Sequence, residues 1–521
     1  MKQNKIYNFR YYENFFVIIL FLVYFLIGSQ IFTDYGFYVD EKFHRANGFY
    51  WLNYLSNFFG FIDLSQISQL KLKEIEDFTL PNIDNWNLYG VIFDVPAAYL
   101  EIILNIKNPI DYYQMRHFLV FIFFFFGAIF FYLILKNRFN NKIVSIIGVT
   151  LFILTPRIFG DSFWNNKDII FLTFFTISLF FYFKLIDNPS IKNIILLALF
   201  SAIGTTMRFA GIFLPITLIF LYIIDKISRR DELHLKTILI CYFSFFFFLF
   251  IFWPNVWSNL PAAIFSSLNL DMSWKGNVNF LGKYYFSGNL PYYYLFFWII
   301  ISTPLIHLIL FIFGFYNYIK RLILRYFTIK QNSIYNDLWR SSNEKKDFLI
   351  FINLTFFVIV LSFLNIHLYN SWRLAYFLYI FIIYFAAFGV FLLTIKFKKK
   401  LVQLTIIFGI LIIFLIYRMA LYHPYQSFYF NILIPPSIKN NVDVDYTGLS
   451  AFHFLKEIID QEKNDKHIKI GVASWYPLWR MVDLLNNEEK NKITILANDE
   501  KNQAKYLYSN RIYDIDKKYY K

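Results

Sequence analysis

The chain has 521 residues, of which 58% are hydrophobic, 23% aromatic and only 16% charged. A water-exposed surface usually carries about 25–35% charged residues, so this composition excludes a soluble globular protein. The formal net charge is +15, and the single cysteine excludes an intrachain disulfide and a thiolate metal cluster. The cations cluster in short loops between apolar segments, which is typical of a polytopic membrane protein and not of a nucleic-acid-binding groove.

About eleven apolar segments are candidates to cross a bilayer as helices, which takes about 20 mostly apolar residues each. They lie near Phe15–Phe32, His117–Leu135, Ile143–Leu154, Ile169–Phe183, Ile194–Thr206, Ala210–Ile224, Thr237–Phe252, Tyr292–Tyr316, Phe348–Asn365, Leu374–Thr394 and Leu401–Tyr417. The break at Arg208 is either a tight external turn or a kink. The first segment is long and lacks a small-residue cleavage site, so we interpret it as an uncleaved helix.

The charges of alternate loops predict the orientation. One set of loops holds most of the cations and is expected in the cytoplasm: Lys2, Lys5, Arg10; Lys136, Arg138, Lys142; Lys226, Arg229, Arg230, Lys236; Lys320, Arg321, Arg325, Lys330; and Lys396, Lys398, Lys399, Lys400. The complementary loops hold acids, most of them before the second segment: Asp34, Asp40, Glu41, Asp63, Glu74, Glu76, Asp77, Asp84, Asp94, Glu101 and Asp111. We therefore expect the N-terminus inside and this acidic loop outside.

Two outer segments are too long to be simple connections. Residues 33–116 contain amphipathic stretches that favour helices lying on the membrane surface, such as Trp51, Leu52, Tyr54, Leu55, Phe58 and Phe59. After the transmembrane domain, residues 1–421, the composition shifts towards Lys, Asp, Asn and Glu. Residues 422–521 combine a helical pattern around Ala451–Ile459 with two short strands, His467–Ala473 and Lys492–Ala497, and predict a small α/β domain outside the membrane.

The first cluster of polar residues follows the first apolar segment. It consists of Asp40 and Glu41, with His44 and Arg45 one turn further on. Adjacent carboxylates that face a cavity at a membrane suit a general base, because low polarity and a like-charged neighbour both raise proton affinity. The alternative is a solvated loop in which the acids cap a helix.

The second cluster is the turn from Thr155 to Asp168. Arg157 and Lys167 in this turn suit a phosphate, because a guanidinium fork and an ammonium group complement its oxygens. The alternative is an Arg–Asp pair that fixes the turn. Arg208 and Arg373 are further cations expected on the same side; each alone is typical of an interfacial anchor, and four together favour an anion site.

The third cluster runs from His423 through Tyr425 to Asp443, Asp445 and Gly448. His423 is a candidate catalytic residue or metal ligand, although a histidine before proline in an aromatic loop is also typical of a structural residue. The sequence contains no HExxH, Walker loop, nucleophile elbow or GxGxxG in a strand–helix context. Zinc protease, P-loop ATPase and dinucleotide-dependent enzymes therefore have no support.

At these clusters the sequence resembles the polyprenyl-phosphate-sugar-dependent glycosyltransferases of the GT-C fold. The resemblance is to family 39-like enzymes related to the protein O-mannosyltransferases and the lipid A aminoarabinose transferase. The elements that carry it are the Asp40-Glu41 pair with His44, the Thr155–Asp168 turn, Arg208, Trp253-Pro254, and the segment from His423 to Gly448. Their order and sidedness, more than any single motif, identify the family.

The resemblance implies transfer of a sugar, with inversion, from a lipid phosphate to an acceptor hydroxyl at the outer face. It implies Asp40 as the general base, Glu41 and His44 as residues that tune it, and Asp94 as a second acidic site residue. Phosphate ligands would be Arg157, Lys167, Arg208 and Arg373, and His423 and Tyr425 would line the pocket. No cofactor is expected. The protein O-mannosyltransferase branch is metal-independent, whereas other GT-C enzymes use a divalent ion bound by acids, and the four cations near the phosphate favour the metal-independent alternative. The expected partners are a polyprenyl-phosphate-linked donor, a lipid, glycan or protein acceptor, and membrane lipids, without nucleic acid.

Two other functions fit the membrane core. A transporter or flippase for a lipid-linked or anionic substrate would line its pathway with cations, but it would also need polar residues at depth and on the cytoplasmic side. A non-catalytic assembly subunit would leave Asp40 dispensable. The excess of Phe, Ile, Lys, Asn and Tyr is typical of an AT-rich genome, which favours a bacterial inner membrane and a periplasmic C-terminal domain.

Overall fold

The computed structural model describes residues 2–76, 90–227, 233–257, 276–327, 338–364, 366–463 and 467–512. Within these residues, nine helices are long and apolar enough to cross a membrane: Phe15–Asp34, Pro109–Phe139, Asp168–Asp187, Phe209–Ile227, Leu235–Phe252, Leu305–Phe327, Ser342–Phe363, Leu378–Lys396 and Lys398–Leu421. Two shorter apolar helices, Lys142–Ile153 and Ile191–Met207, accompany them. The predicted polytopic α-helical fold is confirmed, and the chain is an integral membrane protein; of the eleven predicted spans, nine correspond to these long helices and two to the shorter ones among the described residues.

The prediction of one continuous helix over Tyr292–Tyr316 is wrong. The segment Tyr292–Tyr316 is divided into the helices Tyr294–Ser302 and Leu305–Phe327. Thr303 between them has extended backbone (φ −98°, ψ 135°), as expected for a residue that precedes a proline. Proline also lacks the N–H that would continue the helix, so Pro304 separates the two helices.

The break at Arg208 is a tight turn. The helix Ile191–Met207 ends there, a 3₁₀ turn spans Phe209–Ile212, and the helix Phe213–Ile227 follows directly. Arg208 itself has extended backbone (φ −148°, ψ 128°). The turn places this arginine at the same end of the helix bundle as the start of the helix Asp168–Asp187, whose first residue it contacts.

The segment between the first two spans contains three described helices, Glu41–Phe59, Ile62–Glu76 and Asp94–Ile103. Large apolar side chains at the junction of the first two helices are exposed, among them Phe58, Phe59, Phe61 and Ile62. That these helices lie on a membrane surface stays a prediction. The short helix Pro156–Asp161 lies in the predicted Thr155–Asp168 turn.

The C-terminal residues form the small α/β unit that the sequence predicts. Its three-stranded parallel sheet has the order β4-β3-β5, with β3 at Ile468–Val472, β4 at Ile493–Ile495 and β5 at Tyr506–Tyr508. The described helices here are Pro436–Lys439, Ser450–Gln461, Trp479–Val482 and Asn487–Lys492. Sequence analysis missed β5, which has three residues, and an antiparallel hairpin of β1 (Asn277–Phe280) and β2 (Lys283–Phe286).

The core of this C-terminal unit extends into the segment that precedes Asp40. Phe37 packs in the same buried cluster as Phe452, Leu455 and the strand residues Ile468 and Ile470. The rings of Phe37 and Phe452 meet edge to face at 5.0 Å. The loop that leads to Asp40 therefore takes its position from the C-terminal residues as well as from the membrane helices.

The opposite end of the bundle holds a separate network of buried charges. The carboxylate of Asp347, which is fully buried, accepts hydrogen bonds from Arg138, Arg321 and Tyr384 at 2.6–2.9 Å. Lys345, in the first turn of the helix Ser342–Phe363, pairs with Asp225 near the end of the helix Phe213–Ile227. Some of the predicted loop charges and one predicted span end lie outside the described residues: Asp77, Asp84, Arg229, Arg230, Lys330 and Asn365.

Candidate active site

The two adjacent carboxylates of the first cluster have different surroundings. Asp40 occupies the position before the helix Glu41–Phe59, yet its side chain makes no capping hydrogen bond and is exposed. Glu41 is 5% exposed, and its Oε1 accepts from the backbone N–H of Tyr38 and lies 3.0 Å from Nε2 of His117. Glu41 is thus held inside the protein, whereas Asp40 is accessible to a bound molecule.

Asp40 is exposed and yet has protein closely around it. The surrounding protein raises the pKa of Asp40 above its ordinary value, and the positive charges of Arg373 and Arg480 act in the opposite direction. A raised pKa makes a carboxylate a stronger base, and the two arginines favour its charged form.

Asp94 forms a fully hydrogen-bonded buried centre. Its Oδ2 accepts from Nδ2 of Asn47 at 2.7 Å and from Nζ of Lys167 at 2.9 Å, and its Oδ1 accepts from Nδ2 of Asn166 at 3.0 Å. Nδ1 of His44 lies 3.9 Å from the same Oδ2. Both oxygens are therefore occupied by donors, and Asp94 fixes Lys167 and Asn166 in place.

His44 lies among these groups as a neutral side chain. Burial lowers its pKa well below the ordinary value, and the positive charges of Lys167, Arg373 and Arg208 lower it further. A neutral imidazole can donate or accept a hydrogen bond without adding charge to the site.

Asp168 joins two of the predicted phosphate ligands. Its Oδ1 accepts from Nε and Nη2 of Arg208 at 3.0 and 2.6 Å, and its Oδ2 lies 3.3 Å from Nε of Arg373. Nδ2 of Asn165 donates to the same Oδ2 at 3.0 Å. One carboxylate therefore anchors two guanidinium groups that come from different parts of the chain.

Lys167, Arg208 and Arg373 together form what we call the cation cluster. Three cations here share two carboxylates, Asp94 and Asp168. Arg208 is the most accessible of the three, with 22% of its side chain exposed. Cationic donors that are already held in place in this way suit a phosphate group at this end of the bundle.

Arg157 occupies a different environment from the cation cluster. It is 2% exposed; its Nε donates to the carbonyl of Tyr429 at 3.3 Å and its Nη1 to Oγ of Ser371 at 3.1 Å. Its guanidinium lies over the rings of Trp298 and Phe430. Among the described residues no carboxylate forms an ion pair with Arg157, so the alternative of an Arg–Asp pair that fixes the turn does not describe this residue.

His423 and Tyr425 lie at a junction between the first span and the C-terminal unit. Nε2 of His423 lies 2.8 Å from Oδ2 of Asp34, and the hydroxyl of Tyr425 lies 2.8 Å from Nδ1 of His453. No hydrogen bond or ion pair of the described structure joins either residue to the cation cluster. Their role as pocket residues stays a prediction. Their hydrogen bonds connect this loop to the end of the first span and to the helix Ser450–Gln461.

Sequence analysis missed Arg480. Its charge acts on Asp40, and its Nη1 donates to the carbonyl of Val39, the residue before Asp40. Arg480 lies in the short helix Trp479–Val482 of the C-terminal unit, and no motif in that part of the sequence indicates a site residue.

The side chains of the site offer little to a divalent metal ion. Both oxygens of Asp94 and both of Asp168 face amide, ammonium or guanidinium donors, which a cation would have to displace. Within the described ranges, no group of three His, Cys, Asp or Glu residues has a metal-binding arrangement. Whether the protein needs a metal stays a prediction from the sequence.

Residues 111–257 match the model of a protein family described as dolichyl-phosphate-mannose-protein mannosyltransferase. Two solved structures are similar over most of the chain. ArnT from Cupriavidus metallidurans bound to undecaprenyl phosphate is 10% identical, with 93% of this chain and 86% of that chain covered and a TM-score of 0.47. The same protein in the apo state is 9% identical, with 96% and 89% covered and a TM-score of 0.47. A search of curated protein sequences finds no match.

The matched segment includes Lys167 and Arg208, two of the three residues of the cation cluster, together with Asp168 and Arg157. This match confirms, over residues 111–257, the resemblance to protein O-mannosyltransferases predicted from the sequence, and it supports a membrane glycosyltransferase.

Proposed function

We propose that the protein transfers a sugar from a polyprenyl-phosphate donor to an acceptor hydroxyl, with Asp40 as the general base. The observation that carries this proposal is the placement of an exposed carboxylate, Asp40, within the electrostatic reach of Arg373, a member of the cation cluster. A base and an anion site side by side are what glycosyl transfer from a lipid phosphate requires. The matched family, named for a dolichyl-phosphate-mannose donor, supports the same reaction.

In the reaction that we propose, the acceptor hydroxyl gives its proton to the carboxylate of Asp40. The acceptor oxygen then forms a bond to the anomeric carbon of the sugar. The bond between this carbon and the phosphate oxygen breaks, and its electron pair leaves with the polyprenyl phosphate. A single displacement of this kind inverts the configuration at the anomeric carbon.

The cation cluster would stabilise the charge that develops on the departing phosphate. Arg208 and Arg373 are fixed by Asp168, and Lys167 is fixed by Asp94, so these donors need little rearrangement as the bond breaks. Pre-arranged donors of this kind are usually the largest single contribution to catalysis. Arg157, which has buried aromatic contacts and no ion pair among the described residues, is the least direct of the predicted phosphate ligands.

The division of roles between Asp40 and its neighbours follows from their contacts. Glu41 is bonded to Tyr38 and His117, and Asp94 to Lys167, Asn47 and Asn166, so we assign both to positioning and not to proton transfer. All of these groups lie at the end of the bundle opposite the Asp347 network. We place this end at the outer face of a bacterial inner membrane, as the loop charges predict.

The test is sugar transfer by purified protein in lipid nanodiscs, with a panel of synthetic polyprenyl-phosphate sugars and acceptors. Release of polyprenyl phosphate is measured for the parent, for Asp40→Asn and for Asp63→Asn. Asp63 is the matched control, because it is an exposed aspartate at the start of a neighbouring helix. Loss of a general base typically costs about 10²–10⁴-fold in rate.

We expect release by the parent and by Asp63→Asn, and a loss on this scale in Asp40→Asn with donor binding retained. Equal rates for all three proteins would remove Asp40 as the base. If none of them releases polyprenyl phosphate while the parent moves a lipid-linked substrate across proteoliposomes, the transferase assignment fails and the transporter replaces it.

A further inference from the structure

We propose that the C-terminal α/β unit is part of the active site, and that Arg480 is a positioning residue for Asp40. This inference rests on the proposed function of Asp40 as the base. It goes beyond that function because it gives the C-terminal unit a role in the membrane-embedded reaction.

The backbone next to Asp40 is held from both sides by C-terminal residues. The N–H of Val39 donates to the carbonyl of Thr447 at 3.1 Å. The carbonyl of the same Val39 accepts from Nη1 of Arg480 at 3.2 Å. Both backbone hydrogen-bonding groups of Val39, the residue before Asp40, are thus satisfied by residues more than 400 positions later in the chain.

Close packing reinforces these two hydrogen bonds. A Cβ atom on Gly36 would lie 1.9 Å from the carbonyl oxygen of Leu449, so the two backbones are in direct contact there. Phe37 packs edge to face on Phe452 within the core of the C-terminal unit. The segment from Gly36 to Val39 is therefore built onto this unit, and Asp40 extends from it towards the cation cluster.

Arg480 contributes its charge as well as its hydrogen bond. Its guanidinium and that of Arg373 are the two positive groups that act on Asp40. They come from different parts of the chain, since Arg373 lies in the 3₁₀ turn Arg373–Ala375 and Arg480 in the short helix Trp479–Val482 of the C-terminal unit. Loss of Arg480 would both release Val39 and remove a charge that favours the carboxylate over the carboxylic acid.

The experiment compares Arg480→Gln and Arg480→Lys with the matched control Lys469→Gln, in full-length protein in nanodiscs. Lys469 is an exposed cation of the same unit, on strand β3, so its substitution removes the same charge at a distance from Val39. Two properties are measured: the pH dependence of kcat and KM for sugar transfer, and hydrogen–deuterium exchange in the peptide that contains residues 35–41.

In Arg480→Gln we expect the acidic limb of the kcat profile to move to higher pH by about 0.5–1, since the base loses a stabilising cation. KM for the donor should stay within about twofold, because the cation cluster is untouched. The rate of hydrogen–deuterium exchange in residues 35–41 should increase several-fold, because the carbonyl of Val39 loses its hydrogen bond to Arg480. Arg480→Lys should keep most of the pH profile but show faster exchange, since it retains the charge without the guanidinium fork.

The proposal would be overturned if Arg480→Gln had the same pH profile of kcat and the same exchange in residues 35–41 as Lys469→Gln. The exchange measurement needs no activity, so it separates this inference from the proposed function. If the parent transfers no sugar but Arg480→Gln loosens residues 35–41, the positioning of this segment stands and the base assignment fails. If Arg480→Gln does not fold, the exchange comparison is made with Arg480→Lys: faster exchange in residues 35–41 than in Lys469→Gln supports the positioning role, and equal exchange overturns it.

Discussion

Arg208 and Arg373 contact opposite oxygens of one carboxylate, that of Asp168, at 2.6 Å and 3.3 Å. Asp168 is also the first residue of a membrane-spanning helix, where a negative charge is favoured by the helix dipole. Two arginines from separate loops are thereby held at one helix end. Their geometry depends on a residue that, in the proposed reaction, touches neither the sugar nor the acceptor.

Substitution of Asp168 by asparagine is expected to disperse these two arginines. The proposed transferase should lose about 10–100-fold in kcat/KM for the donor, because small displacements of positioning groups have effects of this size. The loss of a buried ion-pair partner should also lower the thermal midpoint. Steady-state kinetics with varied donor, together with thermal unfolding, checks both expectations.

Asp187→Asn is the control for this prediction. Asp187 ends the same helix and pairs with Lys346 at the opposite end of the bundle, at 2.6 Å. The substitution Asp187→Asn should lower the thermal midpoint, while kcat/KM of the folded protein stays at the parent value. Equal kinetic losses in the two variants would mean that the helix responds as a whole, and that Asp168 has no specific role in the site.

Substitution of Gly448 by alanine is expected to displace the Thr447–Leu449 backbone that supports Val39. Gly448 has a positive φ of 73°, and a Cβ atom there would lie 1.9 Å from the ring of Tyr476. The strain and the clash together should cost about 1–3 kcal/mol of stability. Thermal unfolding and exchange in residues 35–41 measure the consequence.

Gly409→Ala provides the comparison, since a Cβ atom at Gly409 meets nothing within 4 Å and the residue lies inside the helix Leu401–Leu421. Alanine there should leave stability unchanged or raise it slightly. If Gly448→Ala is as stable as Gly409→Ala, the contact with Tyr476 does not constrain the loop.

The buried carboxyl of Asp443 is expected to make stability depend on pH. Burial raises its pKa to about 7, and the hydrogen bond from the N–H of Asn279 lowers it in part. Between its ordinary value near 4 and about 7, the folded state holds a proton that the unfolded state has lost, so stability falls as pH rises through this window. The thermal midpoint of the parent should therefore be lower at pH 8 than at pH 5.

Asp443→Asn should flatten this pH dependence, because the amide keeps the acceptor for Asn279 and has no proton to lose. Asp460→Asn, at an exposed position of the helix Ser450–Gln461, should retain the slope of the parent. A slope in Asp443→Asn equal to that of the parent would assign the pH dependence to other groups.

The membrane helices could be predicted from the sequence because each apolar run has its own local signal. The order of the acids and cations along the chain also indicated which of them share one end of the bundle. The pairing within that end could not be predicted: Asp168 pairs with Arg208 and Arg373, whereas Arg157 stacks on Trp298, although the sequence predicted all three arginines as phosphate ligands. Pairing depends on how helices pack, and no local pattern encodes it.

The C-terminal unit shows the same limit. Its helix Ser450–Gln461 has a clear apolar periodicity, and strands β3 and β4 were found, but β5 has three residues and too little pattern to be detected. Arg480 follows no motif, and its contact with Val39 depends on the docking of two distant segments.

The contact between Val39 and Arg480 sets an order of events during biosynthesis. Residues 36–40 emerge early from the ribosome, directly after the first span, but their partners Thr447, Leu449, Phe452 and Arg480 are among the last to be made. During insertion of the intervening helices, the Asp40 loop lacks the contacts that shape it. A partly translated chain therefore carries the proposed base, Asp40, in its sequence without the contacts that hold it in place, and the proposed site is complete only when the C-terminal residues have docked against this loop.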